Sequence, residues 1–265
     1  MALLICAAIL SRAVGGREVG EITGISWTDH TFNPWWGCTR VSPGCENCYA
    51  ETFDRRVGGD HWGPLKPRRT FSDKHWNDPI KWDAKAKKDG INRKVFCASM
   101  ADVMDTESPA GQRERLWELI DKTPNLIWQL LTKRPENYHK FLPSRFKHEN
   151  VWLGVTAEDQ GYYDKRWPIL LEESARRGLI PWISYEPALG PLTMTGFSVW
   201  PAWIIFGGES GANRRPCQES WLRVLVEEIE KYRPSCQLFV KQMSARTPTE
   251  GKALIPTDLL IHNFP

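Results

Sequence analysis

Six short runs of uninterrupted apolar residues recur along the chain: KVFCASM (94–100), NLIWQLL (125–131), NVWLGV (150–155), LIPWISY (179–185), AWIIFGG (202–208) and CQLFVKQ (236–242). None alternates apolar with polar, so each reads as a strand covered on both faces, as in a parallel sheet flanked by helices. The intervals between them carry helix signals. Ser108 and Pro109 look like an N-cap and first-turn pair for a helix reaching about Lys122. Pro135 opens a shorter helix, and the segment from Gln160 to Arg177 stops at Gly178. The segment from Gln218 to Tyr232 carries Trp221, Leu222, Val224, Leu225, Val226 and Ile229 on a helical period and ends before Pro234. Strand starts recur roughly every 22–35 residues, the pitch of a βα unit. A first strand near 31–36 brings the count to about seven. No glycine-rich phosphate loop follows it, which argues against a plain dinucleotide-binding domain. The expected fold is α/β, a partial or complete (β/α) barrel of about seven parallel strands, in one domain over 21–265.

Polar residues fall at one end of these strands. The first strand leads into three cysteines, the second into Ser99, Met100 and Asp102, and the third into Thr132, Lys133 and Arg134. The fourth ends in Thr156 and Glu158, and the fifth in Tyr185 and Glu186. The sixth ends in Gly207, Gly208 and Glu209, and the seventh in Lys241 and Gln242. In a parallel barrel the C-terminal strand ends share one face, where active sites form. The candidate cofactor-binding residues are therefore Ser99, Asp102, Lys133, Glu158, Glu186, Gly207, Gly208, Glu209 and Lys241. Carboxylates such as Asp102 and Glu209 suit an ammonium or a ribose diol, and Lys133, Arg134 and Lys241 suit a carboxylate or phosphate. A glycine pair lets a ligand approach the backbone, although an ordinary strand-end turn also explains it.

The loop at 37–51, GCTRVSPGCENCYAE, spaces Cys38, Cys45 and Cys48 as C-x6-C-x2-C with Pro43, Gly44 and Asn47 between them. The total of seven cysteines is odd and the other four are scattered, which argues for a reducing compartment rather than a disulfide framework. Three thiolates in a turning loop leave two main readings. A [4Fe-4S] cluster takes them on three irons and leaves the fourth open. A zinc site would need a fourth ligand, for which His30, His61 and His75 are candidates. The array is looser than the paired C-x2-C elements of a zinc ribbon, and a barrel of this size needs no metal staple. The cluster is the favoured reading.

A net charge of +3 permits a phosphate-bearing partner without demanding one. Basic clusters at KPRRT (66–70), LTKRP (131–135) and NRRP (213–216) point to a nucleic acid or nucleotide. The 14 tryptophans read mainly as core and loop anchors, with a base-stacking platform as the alternative. The segment 55–92, rich in Trp, Lys, Gly and Pro, reads as a partly irregular cap. Residues 1–20 are expected to be a disordered or non-native leader, because their apolar run is short and no basic residue precedes it. No apolar segment reaches 18 residues, so no membrane span is expected and the location is taken as cytoplasmic.

The run GISWTDHTFNPWWGCTRVSPGCENCYAE, with SMADVM, LLTKRPENY, LGVTAED, ISYEPALGPL, IIFGGESG and FVKQM, resembles the phage and bacterial three-cysteine-motif family of uncharacterised proteins. That family is similar to radical S-adenosylmethionine (SAM) iron–sulfur proteins. The resemblance implies a partial (β/α) barrel with Cys38, Cys45 and Cys48 as cluster ligands and SAM on the fourth iron. It implies reductive SAM cleavage, hydrogen abstraction from a substrate, and a protein that donates the electron. Two features depart from the radical SAM pattern: six residues, not three, fill the first cysteine gap, and Gly207-Gly208-Glu209 follows the sixth strand rather than the second. The alternatives are a cluster without SAM, in a structural, redox or nucleic-acid-sensing role, and a zinc-stabilised binding module.

Overall fold

The computed structural model describes residues 23–265 except 145, 147 and 148, and the expected leader lies outside them. The described residues contain seven strands: β1 His30–Thr31, β2 Arg93–Cys97, β3 Leu126–Thr132, β4 Val151–Thr156, β5 Ile180–Tyr185, β6 Trp203–Gly207 and β7 Gln237–Gln242. They form one all-parallel sheet in sequence order. The end strands each pair with a single neighbour, so the sheet curves into a partial barrel without closing. The outer edge of β7 is covered by the C-terminal segment, where His262 bridges Phe239 and Asn263 accepts a hydrogen bond from the Trp203 indole.

Eight α-helices are described: α1 Tyr49–Arg56, α2 Asp73–Trp76, α3 Asp78–Asp89, α4 Gln112–Asp121, α5 Tyr138–Phe141, α6 Gln160–Arg177, α7 Glu219–Tyr232 and α8 Pro248–Ala253. The α6 helix is capped by the Asp159 side chain and stopped by Gly178 in the left-handed region. Two elements differ from expectation, and one connection carries no helix. The first strand has two residues, because Pro34 has no N–H to give and the chain peels away so that Trp36 pairs with Arg69. The helix after Ser108 starts at Gln112, since Gly111 adopts φ 75° and interrupts the helical path. The β5–β6 connection has no helix; Pro187, Gly190, Pro191, Gly196 and Pro201 break it, and Leu192, Met194 and Trp200 anchor it in the core.

Strand alternation separates two cores. Val95, Trp128, Leu153, Ile183, Ile204 and Val240 face outward into the main core beneath the helices. Phe96, Trp152, Trp182, Trp203, Ile205 and Phe239 face inward and pack with Trp27. The Trp27 ring lies 4.6 Å from Phe96 and 5.8 Å from both Trp182 and Trp203. This aromatic plug fills the end of the barrel near the strand N-termini. Thirteen of the tryptophans are buried and the fourteenth, Trp221, is half-buried, so they serve packing and not a base-stacking platform. In the 55–92 segment, α3 is the β1–β2 crossover helix, with Trp82 and Ala86 in the main core. The irregular stretch is confined to residues before α2.

Candidate functional site

The chain enters the cysteine loop at Trp36 and Gly37, whose amides donate to the Arg69 and Met100 carbonyls. It makes one 3-10 turn at Pro43–Cys45 and runs into α1 directly after Cys48. All three thiols are half-buried, and Cys38 and Cys48 pack against Trp36, Trp62 and Met100. Buried charged residues from several strand ends hold this loop.

From β2 and β3, Asp102 accepts hydrogen bonds from Thr132 Oγ1 (2.6 Å), Met104 N (2.9 Å), Lys133 N (3.0 Å) and Arg134 Nη1 (2.9 Å). The Arg134 guanidinium then reaches the loop, donating to the Thr39 carbonyl and to Cys38 Sγ at 3.5 Å. After β4, Glu158 is fully buried, accepts from Ser42 Oγ, and pairs with Arg166 at 2.6 Å. A Cβ at Gly44 would stand 2.5 Å from the Glu158 carboxylate, so the loop needs glycine there. After β6, Glu209 accepts from Asn47 Nδ2 at 3.0 Å and from the Arg215 backbone and guanidinium. Arg215 also donates to Pro43 O (2.8 Å) and Glu46 (2.9 Å). Burial raises the Glu209 carboxyl, but the Arg215 and Asn47 hydrogen bonds outweigh it and hold the group below the usual carboxylate range. A fourth grip comes from Arg68, buried against Asp105 at 3.0 Å and donating to Thr39 Oγ1 at 2.8 Å.

The expected site residues thus divide into three groups. Asp102, Glu158 and Glu209 have their oxygens engaged by the protein's own donors. Gly208 is required by packing, since a Cβ there would meet the Ser244 amide at 2.4 Å, and one at Gly207 would displace the Glu186 carboxylate, 2.4 Å away. Nearer the opening, Lys241 pairs with Glu186 at 2.8 Å, and Ser99 holds Asn33 through its hydroxyl while its carbonyl accepts from Tyr49 at 2.8 Å. Lys133 Nζ donates to Thr156 Oγ1 at 3.3 Å and has no carboxylate within ion-pair distance among the described residues. Sequence reasoning missed Tyr49, 56% exposed, and the Ser42, Asn47 and Arg215 clamps. The only signal for these was their position within or facing the loop.

Two of the basic clusters each turn one arginine inward. Arg68 and Arg134 are buried in the ion pairs above, and Arg69 lies 4.6 Å over the Trp36 ring. NRRP keeps an exposed guanidinium at Arg214, and Arg69 stays exposed while resting on the Trp36 ring. The candidate zinc-ligand histidines are engaged elsewhere: His30 stacks on Trp82, His61 Nδ1 lies 2.7 Å from Asp54, and His75 Nε2 donates to the Asn33 carbonyl. Among the described residues no three His, Cys, Asp or Glu side chains converge on a single metal ion. Burial, with the Asp102 charge next, pushes the Cys38 thiol up to about 12 against the opposing pull of Arg134. Burial likewise raises Cys48. Without a bound cation both thiols are protonated at neutral pH, so a metal or cluster entering here would release protons.

The profile of a family of proteins of unknown function, DUF5131, matches residues 22–254. The chain belongs to this family. No curated protein matches it. Similar solved structures of this DUF5131 chain include mutant spore photoproduct lyase with bound SAM and dinucleoside spore photoproduct, at TM-score 0.49 and 12% identity over 82% of this chain and 56% of that one. Another mutant of the lyase matches at TM-score 0.48 and 13% identity over 86% and 60%. The lyase complexed with the dinucleoside matches at TM-score 0.48 and 13% identity over 82% and 65%. The chain spans about 56–65% of the length of these structures. No helix among the described residues is long and apolar enough to cross a membrane.

Proposed function

We propose that this protein is an enzyme of the radical SAM kind. Cys38, Cys45 and Cys48 ligate a [4Fe-4S] cluster, SAM is the co-substrate, and a nucleic acid or nucleotide is the substrate. The observation that carries the reading is the anchoring of the three-thiol loop. Buried carboxylates after β2, β4 and β6 hold one irregular loop at the C-terminal mouth of an open parallel barrel. Such investment in a loop is expected where side chains must be fixed before a ligand arrives. A mononuclear zinc site needs its sulfurs to meet around one point, whereas a cluster takes each sulfur on a different iron. The C-x6-C-x2-C spacing suits the second case, and His61 and His75 are engaged elsewhere.

When bound and reduced by an electron donor protein, the cluster supplies the electron that cleaves SAM and begins hydrogen abstraction. The protein's own residues do the rest. Arg134 neutralises charge beside Cys38, Lys133 offers a cation for a carboxylate or phosphate, and the Glu186–Lys241 pair gives the opening a polar wall. The aromatic plug shuts the opposite end of the barrel and leaves the mouth as its accessible end. The test is anaerobic reconstitution followed by iron and sulfide assay and measurement of 5′-deoxyadenosine. About four irons per chain and SAM-derived 5′-deoxyadenosine under reducing conditions are expected. Full cluster loading with no SAM cleavage would move the protein to a structural or electron-transfer role.

A further inference from the structure

A cavity of about 380 Å³ lies beside the mouth, lined by Arg214, Ser244, Arg246 and Glu250 among others. Its walls are the loop after β6 and the loop after β7. Gly211 N donates to the carbonyls of Ala245 and Arg246 at 3.2 and 3.1 Å, and Ala245 N donates to Glu209 O at 3.2 Å, so the two loops form one unit. The same unit holds the cysteine loop: Asn47 Nδ2 donates to Asn213 O at 2.9 Å, and Arg215, next to Arg214, donates to Pro43 O. The two cavity arginines differ from the arginines that hold the cysteine loop and the barrel mouth. Arg68, Arg134, Arg166 and Arg215 are all committed to carboxylates. Arg214 and Arg246 are exposed and have no carboxylate within ion-pair distance among the described residues; the only partner of Arg214 is the Gly211 carbonyl at 3.1 Å. The one acidic lining residue, Glu250, closes a capping box with Thr247 at the start of α8.

Two guanidinium groups without ion-pair partners, lining one open cavity, suit a tetrahedral oxyanion, and each can present paired N–H donors to it. We propose that Arg214 and Arg246 bind a phosphodiester group of a single-stranded nucleic acid that lies across the mouth, which rests on the nucleic-acid reading above. The cavity contacts the backbone and leaves bases free to reach the cysteine side, so it contributes affinity without sequence preference.

Fluorescence anisotropy with a labelled 20-nucleotide single strand, across a series of salt concentrations, tests this. Compared with wild type, the R214Q/R246Q protein should bind more weakly. Its plot of log K against log salt should flatten by about 0.7 for one shared phosphate, or about 1.4 for two. The K87Q/K88Q protein, which loses as much charge at the far end of α3, should keep the wild-type slope. An unchanged slope in R214Q/R246Q, with wild type still binding the strand, overturns the cavity while leaving the substrate class standing. Equal flattening in both variants shows diffuse attraction and also overturns it. A wild-type protein that binds no strand overturns the nucleic-acid reading itself, and the cavity assignment with it.

Discussion

Arg134 is the residue on which the mouth turns. Its guanidinium bridges Asp102 and the Cys38 sulfur, so it balances a buried carboxylate while placing positive charge against a proposed ligand. Positive charge and N–H donors beside a ligating sulfur favour the reduced cluster. Arg134→Gln should therefore move the cluster midpoint to lower potential in an EPR redox titration, and an unchanged midpoint would remove Arg134 from any tuning role. Glu158 gives a prediction about stability. Its removal in Glu158→Ala leaves Arg166 buried without its partner, a loss of about 3–5 kcal/mol by urea unfolding. A loss below about 1 kcal/mol would show that water reaches Arg166. Cys48→Ala should lose cluster iron and keep its fold, because the loop lies outside the main core; iron retained at wild-type stoichiometry would exclude Cys48 as a ligand. At this scale the sequence told where charged groups would gather but not what they would do. Asp102 and Glu209 looked like ligand-binding carboxylates, yet donors distant in sequence, Thr132 and Asn47 among them, occupy them. Strand-end position is local information, whereas hydrogen-bond partners 30 and 162 residues away are not.

Among the elements, the strands were legible because each is a continuous apolar run buried on both sides, and β2 to β7 all lie where those runs stand. The first strand was not, because Asn33 and Pro34 divert the chain after two residues. The helix α3 hid in a stretch of lysines and tryptophans; only its contacts show that Trp82 and Ala86 face the core. The short α2 carries a titrating group. His75 stacks on Phe32 at 4.7 Å and Phe71 at 4.4 Å, and burial holds its imidazole below the usual histidine range despite the Asn33 hydrogen bond. The unfolded chain, with an ordinary histidine near 6.5, takes up the proton first as pH falls. Stability should therefore be full above about pH 6.5, decline below it, and level off once the folded imidazole is protonated too. Urea unfolding at several pH values between 5 and 7.5 should show this decline in wild type and a shallower one in His75→Gln. Parallel profiles would exclude His75 as its source.

Across the whole molecule, the sheet separates an apolar end from a charged one. The tryptophan plug closes the barrel near the strand N-termini, and three thiols, Lys133 and the Glu186–Lys241 pair occupy the opposite rim. That polarity was visible in the sequence as polar residues after every apolar run. The fate of the basic clusters was not, since burial decides whether an arginine meets a partner outside or a carboxylate inside. The six-residue gap between Cys38 and Cys45 acquires a physical reason: it contains the Thr39, Ser42 and Pro43 contacts through which Arg134, Glu158 and Arg215 hold the loop. The most direct test of the whole is EPR of anaerobically reconstituted, dithionite-reduced protein with and without SAM. A [4Fe-4S]⁺ signal that changes on adding SAM is predicted, and it would place SAM at the open iron of a cluster held by these three cysteines. A cluster signal indifferent to SAM, or no cluster at all, would contradict it.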